Sequence, residues 1–165
     1  MIPTITIRKV QPDDFSRIVE LNAAAVLQTS VMDIARLAEL DALSSYHNVI
    51  LVNGSLAGFL LAMRESTPYR NDNFAFFAAR YEKFVYIDRI VIDPDFAGLK
   101  LGSMLYRDLF DYARQNAIPV LTCEYNIDPP NEPSRRFHDK FGFTEIGRQW
   151  LDGGIKQVSL QVADT

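Results

Sequence analysis

Residues 93–110, DPDFAGLKLGSMLYRDLF, carry the chain from a strand that stops at Pro94, through a short loop, into an amphipathic helix. Gly98 and Gly102 sit at the helix entry with Lys100 between them. Glycine is poor inside a helix, so two at an entry suggest a backbone that something must approach closely. The first amides of a helix have no intrahelical acceptor and lie at its positive end, a combination that favours an anion. The plainer alternative is a turn at Gly98 and a Gly102 that only lets the helix pack on a sheet.

The flanks extend the pattern. Upstream, FVYIDRIVIDP reads as a strand, first alternating and then continuously apolar. The helix from about Lys100 to Gln115 places Leu101, Leu105, Leu109 and Tyr112 near one face, and PVLTCEYN supplies another strand, so the unit implies a parallel pair. At the start, TITIRKV reads as a strand and PDDFSRIVELNAAAV as a helix with Phe15, Ile18, Val19 and Val26 on one side. A second helix, MDIARLAELDAL, is separated from it by LQTSV, a kink expected to line a cleft. YHNVILV and SLAGFLLAMRE flank Asn53-Gly54, a strong hairpin signal. Residues 66–83 form a long aromatic-rich connection with a short helix expected from Phe74. NEPSRRFHDKFGF reads as a helix entered through Asn131 and Pro133 and ended at Gly142; TEIGRQWL and IKQVSLQV then close as a hairpin on Gly153-Gly154.

A chain of 165 residues fits a single domain spanning residues 1–165. The net charge of -4, without long runs of one sign, does not indicate a nucleic-acid footprint. One cysteine, Cys123, excludes an internal disulfide and a cysteine-based zinc site, and two histidines far apart argue against any metal. The N-terminus lacks an apolar segment of signal-peptide length and no run of about 18 apolar residues occurs, so a cytoplasmic protein away from membranes is the expectation.

Two motifs carry a family resemblance. The window Ala97, Gly98, Leu99, Lys100, Leu101, Gly102 matches a pyrophosphate loop of Arg or Gln, two residues, Gly, one residue, then Gly or Ala, but strictly only at Gly102. The second motif reads Asn131, Ser134, Phe137, His138, Lys140, Gly142, Phe143, with histidine where the pattern has tyrosine. With the order strand, two helices, three strands, helix, strand, helix, hairpin, the chain resembles the GNAT acetyltransferase superfamily over essentially its whole length. The preceding DPPNEPS is similar to a subset of predicted members with PPN followed by FH.

The resemblance implies an α/β fold with a mixed six- to seven-stranded sheet, splayed fourth and fifth strands and about four helices. It implies acetyl-CoA as cosubstrate, bound by Ile90, Val91 and Ile92 on the fourth strand. The loop residues Ala97, Gly98, Leu99, Lys100, Leu101, Gly102 and Ser103 would hold the diphosphate, and Asn131, Ser134, Phe137, His138 and Lys140 would complete the cofactor set. Lys100 either replaces the missing loop arginine as counter-charge or is a solvated surface lysine.

Transfer to an amine requires a proton acceptor, an oxyanion donor and an acid for the departing thiolate. Strand alternation puts Asp88 on the face of Tyr86, Ile90 and Ile92, which makes it the first candidate acceptor, unless it pairs with Arg89 or Arg64. Glu124 is the second candidate; an acid in an apolar strand needs a partner, which can also be structural. By the resemblance, the NH of Ile90 faces the acetyl oxygen and His138 stands where the family's acid stands, with Tyr125 as the fallback. Cys123 is expected to be core. Tyr69, Phe74, Phe76, Phe77 and Tyr81, with Arg70 and Arg80, are expected around the acceptor, unless the aromatics are core. The expected activity is acetyl transfer to a primary amine of a small molecule or peptide, by a monomer or homodimer; the alternative is a non-catalytic acyl-CoA sensing module.

Overall fold

The computed structural model describes residues 1–26 and 29–165. In chain order it has β1 (Ile5–Lys9), α1 (Phe15–Ala24), α2 (Ile34–Leu43), β2 (Tyr46–Val52), β3 (Ser55–Arg64), α3 (Asp72–Ala78), β4 (Val85–Ile92), α4 (Leu101–Gln115), β5 (Val120–Asp128), α5 (Glu132–Lys140), β6 (Thr144–Leu151) and β7 (Lys156–Asp164). The strands form a seven-stranded sheet in the order β1-β2-β3-β4-β5-β7-β6. The expected mixed α/β architecture is therefore present, and the short helix expected from Phe74 in the 66–83 connection is α3, which starts two residues earlier because Asn71 caps it, its side chain accepting from the Phe74 amide at 3.0 Å. No helix among the described residues is long and apolar enough to cross a membrane.

The chain divides into two compact units, Met1–Met63 with Ile87–Tyr112, and Arg64–Tyr86 with Ala113–Thr165. In the first, β1 and β2 run antiparallel from Ile5↔Val52 to Lys9↔Asn48. The β2–β3 turn has Asn53 at φ 50° and Gly54 at φ 82°, the two positive values that a tight hairpin turn demands. Asn53 has a second task, since its Oδ1 accepts from the Thr4 amide at 2.9 Å. In α1, Ile18, Leu21 and Asn22 are buried, whereas Val26, expected on the same face, lies past the helix end and is exposed. Asp33 caps α2 by accepting from the Arg36 amide at 2.7 Å. Of the LQTSV connection, Leu27 and Gln28 lie outside the described residues.

In the second unit β5 pairs antiparallel with β7, and β7 with β6. The first residues of β4 pair in parallel with β5 at Val85↔Leu121 and Tyr86↔Thr122. The expected closing hairpin turns through Gly153 and Gly154 at φ 67° and 94°. The aromatics of the 66–83 connection supply the core: Phe74 packs on Tyr69, Phe84 and Tyr86 at centroid distances of 5.7, 5.4 and 5.8 Å. Tyr69, Phe74 and Phe77 are buried, so they are core and not acceptor walls. Phe76 covers Gly147, where a Cβ would lie 2.7 Å from its ring. Arg80, a candidate carboxylate partner, instead stacks 3.5 Å over the Phe76 ring and donates to the Phe76 carbonyl at 2.8 Å.

Candidate active site

The loop after β4 is built from the strand outward. The Asp93 amide donates to Ala57 O at 2.8 Å, while its carboxylate pairs with Arg17 and accepts from the Asp95 amide at 2.9 Å. This fixes the strand end before a single 3-10 turn, Pro94–Phe96. The chain then passes through Gly98 at φ 89° and Lys100 at φ 60° into α4. Two left-handed residues in this short stretch reverse the chain sharply enough to enter the helix, and the second is a lysine where the family pattern has glycine. The Met104 amide reaches Lys100 O at 3.1 Å, so the amides of Leu101, Gly102 and Ser103 belong to the turn without an intrahelical acceptor. Ala97, Gly98 and Lys100 are exposed; Leu99 and Gly102 are half-buried. Leu101, Ser103 and Val91 are buried, so any contact they make with a ligand at this loop is through backbone.

Gly58 was not singled out in the sequence. A Cβ there would lie 2.8 Å from Val91 O and 2.6 Å from Ile92 Cδ1, so its missing side chain lets β3 press against the end of β4. The signal was available: a lone glycine inside the apolar run SLAGFLLAMRE marks a close backbone approach.

Asp88 is paired with its neighbour, as the structural alternative had it. Arg89 Nε donates to Asp88 Oδ2 at 2.7 Å, and the two side chains are only 4% and 3% exposed. Arg64, the other suggested partner, pairs with Glu65 at 3.1 Å.

In the second unit, Glu124 is half-buried and the fully buried Tyr86 hydroxyl lies 2.8 Å from both of its carboxylate oxygens. That bond supplies the partner an acid in an apolar strand needs. Cys123 is buried, and burial pushes its thiol pKa well up, which makes it an inert core residue. The Tyr125 hydroxyl accepts from Gln161 Nε2 at 3.1 Å; burial first, then the Asp139 charge, raises its pKa and keeps it protonated.

His138, at the position of the family's acid, has its ring held by a backbone carbonyl. Its Nδ1 lies 2.7 Å from Ser134 O, and because a carbonyl only accepts, the ring proton is on Nδ1. Burial lowers its pKa, against the smaller opposing effect of that bond, so the ring is neutral and its Nε2 carries no proton to give. Tyr125, Phe137 and Phe143 surround it at centroid distances of 5.6, 5.4 and 5.2 Å. Asn131 caps α5 by accepting from the Ser134 amide at 3.3 Å. Phe137 is half-buried against Phe141 at 5.2 Å, and exposed Lys140 holds Nζ 5.7 Å over the Phe137 ring.

The model of the Acetyltransferase (GNAT) family matches residues 13–143. The phosphinothricin N-acetyltransferase of Streptomyces coelicolor is 34% identical over 88 residues, 53% of this chain and 46% of that protein, so the match spans less than half of the relative's length. Among solved structures, Ard1 from Thermoplasma volcanium superposes with a TM-score of 0.79 at 18% identity, covering 98% of this chain and 97% of that one. The Salmonella typhimurium protein yncA, solved with its cofactor acetyl-CoA, gives a TM-score of 0.70 at 25% identity over 97% and 93%. The chain belongs to the GNAT acetyltransferase family.

Proposed function

We propose that this GNAT-family chain transfers an acetyl group from acetyl-CoA to a primary amine of a small molecule or peptide. The observation that carries the reading is the turn into α4: Gly98 and Lys100 at positive φ aim the amides at positions 101–103 outward from a helix start. A diphosphate needs several converging NH donors with no side chain in the way, and the exposed, glycine-bearing loop fits that need. The relative named for acetylating phosphinothricin and the neighbour solved with acetyl-CoA support the same assignment.

Acetyl-CoA supplies the acyl group as an activated thioester. The backbone of Ala97–Ser103 binds the diphosphate, with Lys100 as counter-charge. Ile90, Val91 and Ile92 offer backbone groups to the pantetheine arm, and the NH of Ile90 faces the acetyl oxygen. Asn131, Ser134, Phe137 and Lys140 act at the α5 start and outer face. The amine nitrogen forms the new C–N bond as the C–S bond breaks. Glu124 takes the amine proton, since its carboxylate is half-buried and held by a neutral hydroxyl, whereas Asp88 is committed to Arg89. Tyr125, kept protonated, gives its proton to the departing thiolate. His138, neutral with its Nδ1–H donated to the Ser134 carbonyl, is a packing residue beside Tyr125.

The test couples binding to turnover. Thermal shift with acetyl-CoA should raise the melting temperature of the native protein but not that of Gly102→Val. Thiol release should then be followed over phosphinothricin, small primary amines and peptides with a free N-terminus. Glu124→Gln should lower kcat by about 10² or more with acetyl-CoA affinity kept. Binding with no turnover across the panel would replace the enzyme reading by the acyl-CoA sensing module, and no binding would remove both.

A further inference from the structure

The guanidinium of Arg89 spends its donors on the connection between α1 and α2. Nε is taken by Asp88 Oδ2 at 2.7 Å, which leaves the fork directed at Asn22 and Ser30. Nη1 donates to Asn22 Oδ1 at 3.0 Å and to Ser30 O at 3.1 Å, and Nη2 donates to Ser30 Oγ at 2.9 Å. Asn22, itself buried, donates to the same Ser30 carbonyl at 2.9 Å. A buried arginine is costly unless its charge and its donors are answered, and here a carboxylate, an amide, a carbonyl and a hydroxyl take four hydrogen bonds from it. Thr29 caps back on Ala25 O at 3.2 Å, Met32 is buried and Asp33 caps α2, while Val31 between them is 81% exposed.

We infer that Asp88 and Arg89 are positioning residues: the carboxylate orients the guanidinium, which holds the Ser30–Asp33 connection beside β4 and thereby sets the affinity for the acceptor amine. Arg89 directly precedes Ile90, so the connection is tied to the stretch of β4 on which the acetyl-transfer reading puts the reacting carbonyl. The kinetic half of the inference rests on that reading; the anchoring half does not.

The variants are Arg89→Lys, which keeps the charge and loses the fork, Ser30→Ala, which removes one acceptor, and Ser30→Thr, which keeps the hydroxyl. Amide hydrogen exchange at residues 29–33 should accelerate about tenfold or more in Arg89→Lys and less in Ser30→Ala, and return to the native rate in Ser30→Thr, because each lost bond was to a charged donor. With the panel amine of highest kcat/KM, acceptor KM should rise about tenfold in Arg89→Lys while kcat stays within about threefold and acetyl-CoA affinity within about twofold. A general loss of stability would instead speed exchange throughout the first unit. Exchange at 29–33 within about twofold of native in folded Arg89→Lys overturns the anchor; if that variant does not fold, the same result in Ser30→Ala does so. Faster exchange with unchanged acceptor KM overturns the positioning role. Should no amine be turned over, the acetyl-transfer reading fails on its own while the exchange data still decide the anchor.

Discussion

Lys100 occupies a backbone conformation that suits glycine, and replacing it separates its backbone from its charge. At φ 60° a side chain with a Cβ costs about 1–2 kcal/mol relative to the right-handed region. Glycine removes that cost but returns about 0.4–1 kcal/mol through its freer unfolded chain. Lys100→Gly should therefore stabilise the protein by about 0.5–1 kcal/mol, whereas Lys100→Ala, which keeps the strain, should change little. For a chain of 165 residues each kcal/mol moves the melting temperature by about 2–4 °C, so the two variants should be separated by about 1–4 °C. Urea titrations with equal slopes would report the same difference at constant temperature. The charge is read from acetyl-CoA affinity at low salt: both variants should lose about three- to fivefold, as befits an exposed ion pair of up to about 1 kcal/mol, and Lys100→Arg should restore it. If Lys100→Gly and Lys100→Ala are equally stable with equal slopes, Lys100 is not held at positive φ; if affinity is unchanged in both, the lysine is a solvated surface residue.

Three further outcomes follow from the packing and the titrating groups. His47 and His138 are both buried with lowered pKa values, so below about pH 6.5 the unfolded chain gains protons that the folded one refuses. Stability should then fall as pH drops, by at most about 1.4 kcal/mol per pH unit per histidine, and His138→Phe should remove one of the two contributions in denaturation curves between neutral pH and pH about 5. The carboxylates of Asp14, bonded by Arg8, and Glu145, bonded by Ser159, are held low and act in the same direction in a more acidic window, their contribution being lost as pH falls from the ordinary carboxylate range through their lowered values. Gly58→Ala should destabilise by about 1–3 kcal/mol in chemical denaturation, because its Cβ would meet a backbone carbonyl that cannot swing aside; a neutral effect would mean that β3 and β4 can separate there. Tyr86→Phe should lower kcat with acetyl-CoA affinity kept, since Glu124 loses the hydroxyl that holds both its oxygens, and an unchanged kcat would take Glu124 out of the reaction.

The fold was legible because local signals agreed with one another. Asn53-Gly54 asked for a tight turn and received two positive φ values; Asn131 and Gly142 bracketed a helix that runs from Glu132 to Lys140. What the chain did not announce was the identity of the neighbours across space. The aromatic run from Tyr69 to Tyr81 looked like ligand walls because composition does not distinguish a lined pocket from a filled one. Only the packing of Phe74 on Tyr69, Phe84 and Tyr86 turns it into core.

The candidate site failed to be legible where chemistry depends on a partner many residues away. Strand alternation put Asp88 ahead of Glu124 as proton acceptor, and the choice between them lies in what each one holds. Asp88 meets the guanidinium of the next residue in a pair that excludes water; Glu124 meets a neutral hydroxyl contributed by Tyr86 on another strand. A carboxylate bound to a permanent cation is suited to positioning, because the ion pair is worth keeping only while both charges persist. One bound to a phenol and only half-buried keeps part of its carboxylate open, which suits it to exchanging a proton. The same logic separates Tyr125 from His138: burial leaves the phenol with its proton and the imidazole without a second one, so the residue at the family's acid position is the poorer acid and its ring neighbour the better.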